Sequence, residues 1–131
     1  MNVAGSIEFT ITEVTAERVV GEMAVQAGIP NPFGVAHAGA LLWFADVCAT
    51  VLAYGKAQFA PGGAGFPLGI NLNANLTGNR REGVFKATAV FLKRGRQLSV
   101  VRTTITNESG RLIADVTTSH IPAQPTSGER Q

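Results

Sequence analysis

The stretch that decides the fold is Asn31-Pro-Phe-Gly-Val-Ala-His37-Ala-Gly-Ala-Leu-Leu-Trp-Phe-Ala-Asp46-Val-Cys-Ala-Thr-Val-Leu-Ala-Tyr54, a Pro/Gly loop that continues as an apolar helix. From residue 38 to residue 54 it contains no proline and mostly helix-favouring residues, and Gly55 marks a helix end. Asp46 is its only charged side chain. A helix that is apolar nearly all round should be buried by other structure, and a carboxylate on it needs a partner or a function.

Length and composition limit what the chain can be. Its 131 residues suffice for one domain with a real core and leave no room for a second. Hydrophobic residues make up 45% of the chain and charged residues 15%. These shares indicate a surface with few polar groups, which favours self-association. The net charge is +2, and the basic residues are scattered apart from short clusters at residues 80–81 and 93–96. We therefore expect no nucleic-acid partner.

The sequence also bears on cellular location and metal content. No basic and apolar leader precedes Ile7, and no apolar run approaches the roughly 18 residues of a membrane span, so we expect a cytoplasmic protein. The single cysteine, Cys48, excludes an internal disulfide and is best explained by packing. With two histidines and one cysteine, the sequence has no ligand cluster that predicts a metal site.

Strand patterns fill most of the remaining chain. Residues 7–12 and 19–25 alternate apolar and polar positions and predict an antiparallel pair before the helix. Glycines and prolines over residues 56–68 predict a mobile loop. A meander of four hairpin-connected strands is expected after it, over residues 70–76, 83–92, 98–106 and 112–119. Residues 122–131 predict a disordered tail, which leaves residues 1–121 as the domain.

This order of elements predicts an α+β fold, because an apolar helix beside an antiparallel sheet is best buried when the sheet curls around it. With this order of elements the chain resembles the hotdog fold, in which an antiparallel β-sheet is wrapped around one long central α-helix. Over about residues 7–121 it is similar to acyl-CoA thioesterases of the phenylacetate-pathway (PaaI-like) type. The most specific likeness is the pattern Asn-x-x-Gly-x-x-His-x-Gly with Asp nine positions after His, which is met by Asn31, Gly34, His37, Gly39 and Asp46.

Two departures from the family pattern fall near the site. Ala38 follows the histidine where the family usually has glycine. Alanine keeps the backbone N–H and adds a methyl group near the thioester, which predicts an altered fit more than lost chemistry. Residues 76–81, Leu-Thr-Gly-Asn-Arg-Arg, replace the commoner Leu-Arg-Pro.

Thioester hydrolysis needs two kinds of group, and the decisive stretch offers both. Unpaired N–H groups at a helix start can stabilise the charge that develops on the carbonyl oxygen, and His37, Ala38 and Gly39 lie there. Asp46 is the one helix carboxylate that could act as general base or nucleophile. Eight helical residues separate it from Ala38 by about 12 Å, too far for both to act on one carbonyl. We therefore expect a homodimer, or a dimer of dimers, in which antiparallel helices complete two equivalent sites.

The candidates on the helix each have a structural explanation beside the functional one. Asp46 could instead accept structural hydrogen bonds, and His37 could be an ordinary loop histidine. Thr50, one turn after Asp46, either holds the attacking water or bonds back to the helix. Leu42 and Trp43 either line an acyl pocket or pack in the core.

Outside the helix the alternatives are similar. Asn31 either positions the substrate or serves as a turn residue. The turn of Arg94, Gly95 and Arg96 either binds the phosphates of coenzyme A or is simply solvated. Asn73 shares one strand face with Asn71 and Asn75, and that face is either polar surface or part of the coenzyme A site.

The resemblance implies an acyl-CoA thioesterase that converts an aryl-acyl or medium-chain acyl-CoA to free acid and coenzyme A. Coenzyme A enters as part of the substrate, and no other cofactor is expected. Two alternatives stay open, a hotdog enoyl-thioester hydratase or dehydratase and a non-catalytic acyl-CoA or fatty-acid binding module.

Overall fold

The computed structural model describes residues 1–26, 28, 30, 36–55 and 65–124. Within these residues two strands precede one α-helix and four strands follow it. In chain order they are β1 (Thr10–Val14), β2 (Arg18–Ala24), α1 (Ala38–Tyr54), β3 (Pro67–Leu76), β4 (Val84–Arg94), β5 (Ser99–Thr106) and β6 (Leu112–Pro122). In the part of the chain so described, no helix has the length and apolar character needed to cross a membrane.

Helix α1 begins and ends where the sequence predicts. His37 precedes it as the N-cap, with an extended backbone (φ −67°, ψ 140°). Gly55 ends it in the left-handed conformation (φ 75°) and donates its N–H to the carbonyl of Val51. Glycine adopts that conformation without a steric clash. Both ends of the helix are therefore fixed by the local sequence.

The six strands form one antiparallel sheet in the order β1-β2-β4-β5-β6-β3. The predicted meander is wrong for β3, which pairs with β6 at the sheet edge, while β4 pairs with β2. The predicted loop over residues 56–68 is too long at its end, because β3 begins at Pro67. Proline is tolerated as the first residue of an edge strand. Residues 56–64 of that predicted loop lie outside the described residues.

Strand boundaries differ from the prediction by a few residues. β1 begins at Thr10 instead of Ile7, although Ile7 and Phe9 still pack against the core. β6 runs on to Pro122, the first residue of the predicted tail. Residues 125–131 lie outside the described residues, so the disordered tail stays a prediction.

One face of α1 packs on the sheet and contacts all six strands. Leu41, Phe44, Cys48 and Leu52 recur every three or four residues and are at most 2% exposed. Gly21 of β2 permits this close packing, because a Cβ atom there would lie 2.9 Å from the Phe44 ring. The arrangement of one long helix on an antiparallel sheet confirms the predicted α+β fold.

The other face of α1, which we call the open face, carries Leu42, Trp43, Asp46 and Val47. Trp43 is 48% exposed and the other three are half-buried. The neighbouring edge strand β3 exposes four large apolar side chains by 43% to 56%, those of Leu68, Ile70, Leu72 and Leu76. The expectation of a helix buried all round is therefore wrong for a single chain, whose one sheet covers only one side of the helix.

Candidate active site

Asp46 lies on the open face of α1, beside the beginning of β3. A cavity of 440 Å³ opens next to its carboxylate, and its walls are formed by Leu42, Trp43, Asp46, Gly69, Ile70, Asn71 and Leu72. A smaller cavity of 290 Å³ contains both Asp46 and Thr50. The structure thus places the predicted pair Asp46 and Thr50 at one site, and it places Trp43 at a cavity wall instead of in the core.

The backbone of β3 approaches Asp46 at Gly69. A Cβ atom built on Gly69 would lie 3.7 Å from Oδ1 of Asp46. The pairing of β3 with β6 is irregular between Gly69 and Asn71. Such irregularities redirect side chains, and Ile70 at this point lines the cavity beside Asp46.

His120 of β6 is a buried group near this site that the sequence analysis missed. Its side chain is 1% exposed. Nδ1 lies 3.4 Å from the carbonyl oxygen of Pro67, and Nε2 lies 2.8 Å from Oγ1 of Thr118. Because a carbonyl only accepts, Nδ1 carries the proton, and in the neutral ring Nε2 accepts from the Thr118 hydroxyl. Strand alternation places His120 on the same face as the buried Val116 and Thr118, a signal that could have identified it.

Burial lowers the pKa of His120 below its ordinary value. The hydrogen bond to Pro67 and the negative charge of Asp46 act in the opposite direction, because both favour the protonated ring. Asp46 and His120 are therefore close enough to interact electrostatically.

The start of α1 forms a second, separate group. The backbone N–H of Gly39 donates to Nδ1 of His37 over 3.1 Å. The proton of a neutral His37 ring is then on Nε2. In the part of the chain described here, no partner is found for the N–H of Ala38. Among the described residues the N–H of Ala38 is therefore unpaired, whereas the N–H of Gly39, which we expected to be free, donates to His37.

Asn79 fixes the segment that leads into the start of α1. The sequence did not predict this role of Asn79. Its Oδ1 accepts from the N–H of Ala36 over 3.1 Å, and its Nδ2 donates to the Ala36 carbonyl over 2.8 Å. Asn79 belongs to the segment that departs from the family pattern. The residue next to His37 is thus held by a side chain 43 positions away, a contact that no local pattern signals.

A single chain does not bring the helix start and Asp46 together. The cavity of 370 Å³ beside His37 and Gly39 is lined by the N-terminal segment and not by Asp46. The regular helix between Ala38 and Asp46 keeps them about 12 Å apart. Asn31, the remaining member of the predicted motif, lies outside the described residues.

The predicted coenzyme A contacts fall at two different places. Arg94 and Arg96 are exposed at the β4–β5 turn, next to the half-buried Gly95, and the Arg94 guanidinium lies 5.0 Å from the centre of the Phe91 ring. One row of paired residues crosses the sheet from the Asp46 site to this turn, through Gly69, His120, Ser99 and Arg94. Three strand spacings put the Cα atom of Arg94 about 14 Å from that of Gly69.

Asn73 is placed differently. It pairs with Thr117, which alternates with the buried Val116 and Thr118. Asn73 therefore lies on the sheet face that points away from α1, and one chain does not bring it together with Asp46.

Cys48 is confirmed as a packing residue. It is fully buried, and burial raises the pKa of its thiol to about 12. The thiol therefore stays protonated near neutral pH. Among the described residues, no three His, Cys, Asp or Glu side chains are grouped so that they could hold a metal ion.

Comparison with known proteins identifies relatives of this chain. Residues 33–114 match the model of the thioesterase superfamily. A Vibrio cholerae protein provisionally named an esterase is 33% identical over 102 residues, which are 78% of this chain and 65% of that protein. ComA2 of Bacillus subtilis, also provisionally named an esterase, is 34% identical over 103 residues, 79% of either chain. The match therefore spans less than two thirds of the Vibrio protein's length.

Solved structures show the same fold. A Haemophilus influenzae thioesterase superposes with a TM-score of 0.80 at 20% identity, over 93% of this chain and 82% of that one. A variant of a Staphylococcus aureus thioesterase gives a TM-score of 0.78 at 26% identity, over 88% and 93% of the two chains. These likenesses confirm the hotdog fold predicted from the sequence.

Proposed function

The chain belongs to the thioesterase superfamily, and on that premise we propose that it is an acyl-CoA thioesterase of the PaaI-like type. It hydrolyses an aryl-acyl or medium-chain acyl-CoA to the free acid and coenzyme A. The observation that carries this proposal is the pair of groups on α1, the available N–H of Ala38 at its start and the carboxylate of Asp46 on its open face. They are the two groups that hydrolysis of a thioester requires.

The proposed enzyme is a homodimer. A second chain packed antiparallel on the open face of α1 would bring its own Ala38 next to Asp46, and the two-fold axis would create two such sites. The exposure of Trp43 and of the apolar side chains of β3 supports this arrangement, because a dimer would remove that apolar surface from water.

In the proposed reaction, Asp46 takes a proton from a water molecule as that water attacks the thioester carbonyl carbon. Negative charge moves to the carbonyl oxygen, where the Ala38 N–H and the positive end of the α1 dipole stabilise it. The C–S bond then breaks, and coenzyme A leaves as a thiolate that takes up a proton. Direct attack by Asp46 through a mixed anhydride would give the same products. Thr50 lines the same small cavity as Asp46, which supports a role for its hydroxyl in orienting the water.

The cavity beside Asp46 supports the proposed acyl groups. Trp43 lines it, with its ring in a T-shaped contact with Phe9 at a centroid distance of 4.7 Å. Leu42, Ile70 and Leu72 add aliphatic walls. An aromatic ring or a medium alkyl chain would gain contact with these side chains, whereas a two-carbon acyl group would leave most of the cavity to water.

Arg94 and Arg96 are the proposed contacts for the phosphates of coenzyme A. Their turn lies on the same row of the sheet as Gly69, displaced sideways from the Asp46 site, which fits a ligand whose pantetheine arm separates the thioester from the phosphates. Asn73 faces the other side of the sheet, so it could contact coenzyme A only where the ligand passes around the edge strand.

A thiol-release assay with phenylacetyl-CoA, octanoyl-CoA, acetyl-CoA and crotonyl-CoA tests the proposal. We expect release of coenzyme A, with kcat/KM for phenylacetyl-CoA or octanoyl-CoA well above that for acetyl-CoA. Loss of the crotonyl absorbance without thiol release would instead indicate a hydratase. Tight retention of the esters without turnover would indicate a binding module, and either result would overturn the proposal.

A further inference from the structure

The proposed reaction leaves one buried titratable side chain of the site unused. His120 is 1% exposed, and both ring nitrogens have partners, the Pro67 carbonyl and the Thr118 hydroxyl. Burying an imidazole costs free energy unless its polar atoms are satisfied, and here they are. An apolar side chain could fill the same space, so the presence of histidine calls for an explanation.

The first residues of β3 connect His120 with Asp46. His120 and Gly69 are cross-strand partners, and Gly69 faces the Asp46 carboxylate, since a Cβ atom built on it would lie 3.7 Å from Oδ1. The imidazole bonds the carbonyl of Pro67, two residues before Gly69. Directly after Gly69 the pairing of the two strands becomes irregular. The side-chain bond of His120 therefore adds to the backbone pairing of β3 just before this irregularity, and the pairing resumes at Asn71.

Among the described residues, Asp46 of α1 is the charged group that favours the protonated ring of His120. The strand neighbours Gly69 and Ser99 and the hydrogen-bond partners Pro67 and Thr118 carry no charge.

We propose that His120 is a positioning residue for Asp46, because its imidazole holds residues 67–69 of β3 in the place where they support the carboxylate. Its effect on hydrolysis rests on the proposed function. The electrostatic effect of Asp46 on His120 does not rest on that function, so the two can be tested separately.

Kinetics test the positioning role. His120→Ala removes the N–H that bonds Pro67 and should lower kcat by about tenfold to a hundredfold with KM nearly unchanged, since a small displacement of a catalytic group acts on the transition state. His120→Asn keeps an N–H near the Nδ1 position and should restore kcat to within a few-fold. Ser119→Ala, the neighbouring residue on the other strand face, is the control. Equal kcat in all four proteins, or an Asn variant as slow as the Ala variant at equal Tm, would overturn the proposal.

Proton NMR tests the contact itself, with or without hydrolysis. The chain has two histidines, so the imidazole signals are assigned with a His37→Gln variant. Asp46→Asn should lower the pKa of His120, because it removes the charge that favours the protonated ring. Asp115→Asn, a charge removal on the same strand but the opposite face, should leave that pKa unchanged. An unchanged His120 pKa in Asp46→Asn would mean that the carboxylate lies too far from the ring to be positioned by it and would overturn the proposal, whereas a shifted pKa in a protein without thiol release would refute only the proposed function.

Discussion

A Cβ atom at Gly69 would lie 3.7 Å from Oδ1 of Asp46, so the edge strand leaves space for one methyl group beside the helix carboxylate. That distance is an ordinary van der Waals contact, and we predict that Gly69→Ala folds and keeps kcat within a few-fold. Gly69→Val adds two further methyl groups beside the carboxylate and should lower kcat by about tenfold or more, through displacement of the base. Thiol release and Tm measured on both variants check this. Indistinguishable kcat values would mean that Gly69 does not support Asp46.

Asp46→Asn should fold normally and lose most of the hydrolysis, because the amide keeps the shape of the side chain and loses the base. We expect kcat to fall by at least about a hundredfold. Circular dichroism and Tm serve as the folding controls. If thiol release survives within a few-fold, Asp46 is a structural carboxylate.

The local sequence predicted those parts of the molecule that local interactions determine. Helix α1 could be placed because Gly55 ends it and no helix-breaking residue interrupts it after Gly39, and Asp46 was visible as its one charge. The partner of β3 could not be predicted, because alternation gives the two faces of a strand but not its neighbour.

Contacts distant in sequence were missed for the same reason. Asn79 bonds Ala36 across 43 positions, and His120 bonds Pro67 across 53. Neither side chain belongs to a motif, and only the folded sheet shows what each of them touches. The open face of α1 could not be predicted either. An apolar helix predicts burial, but the pattern does not indicate whether the same chain or a second chain covers each face.

Replacement of Arg94 and Arg96 by Ala should raise KM for CoA esters more than it lowers kcat, because phosphate contacts act far from the reacting carbonyl. Steady-state kinetics with an acyl-CoA and with a matched acyl-pantetheine thioester check this. The second substrate lacks the nucleotide and should show little effect. An equal rise in KM for both substrates would remove these arginines from the coenzyme A site.

The folded protein should lose stability as the pH falls through the histidine range. Burial holds the pKa of His120 below its ordinary value of 6.5, so the folded state favours the neutral ring while the unfolded chain takes up the proton first. The contribution of the neutral His120 ring to the free energy of unfolding is complete above pH 6.5. It is lost as the pH falls from there toward the pKa of His120 in the folded state. Urea unfolding of wild type and His120→Asn at pH 8, 7, 6 and 5 measures it. With falling pH the free energy of unfolding should decline more steeply for the wild type than for His120→Asn. Parallel declines would mean that His120 is not the cause.

The shared site is tested most directly by subunit exchange between two variants, Asp46→Ala, which lacks the carboxylate, and His37→Ala, which lacks the side chain that caps the helix start. Each homodimer carries two damaged sites. In a heterodimer one site carries both defects and the other carries neither, because each site takes its helix start from one chain and its carboxylate from the other. A mixture of Asp46→Ala with Asp46→Asn is the matched control, since those two variants cannot complement each other.

Equal mixing under mild denaturant makes half of the dimers heterodimers, each with one intact site in two. Thiol release should therefore recover toward about a quarter of the wild-type rate, while neither parent nor the control mixture shows it. Mass-tagged subunits confirm the exchange. If exchange is complete and the rate equals only the sum of the two parents, His37 and Asp46 act within one chain or His37 is not part of the site, and a site that these two residues share across two chains is contradicted.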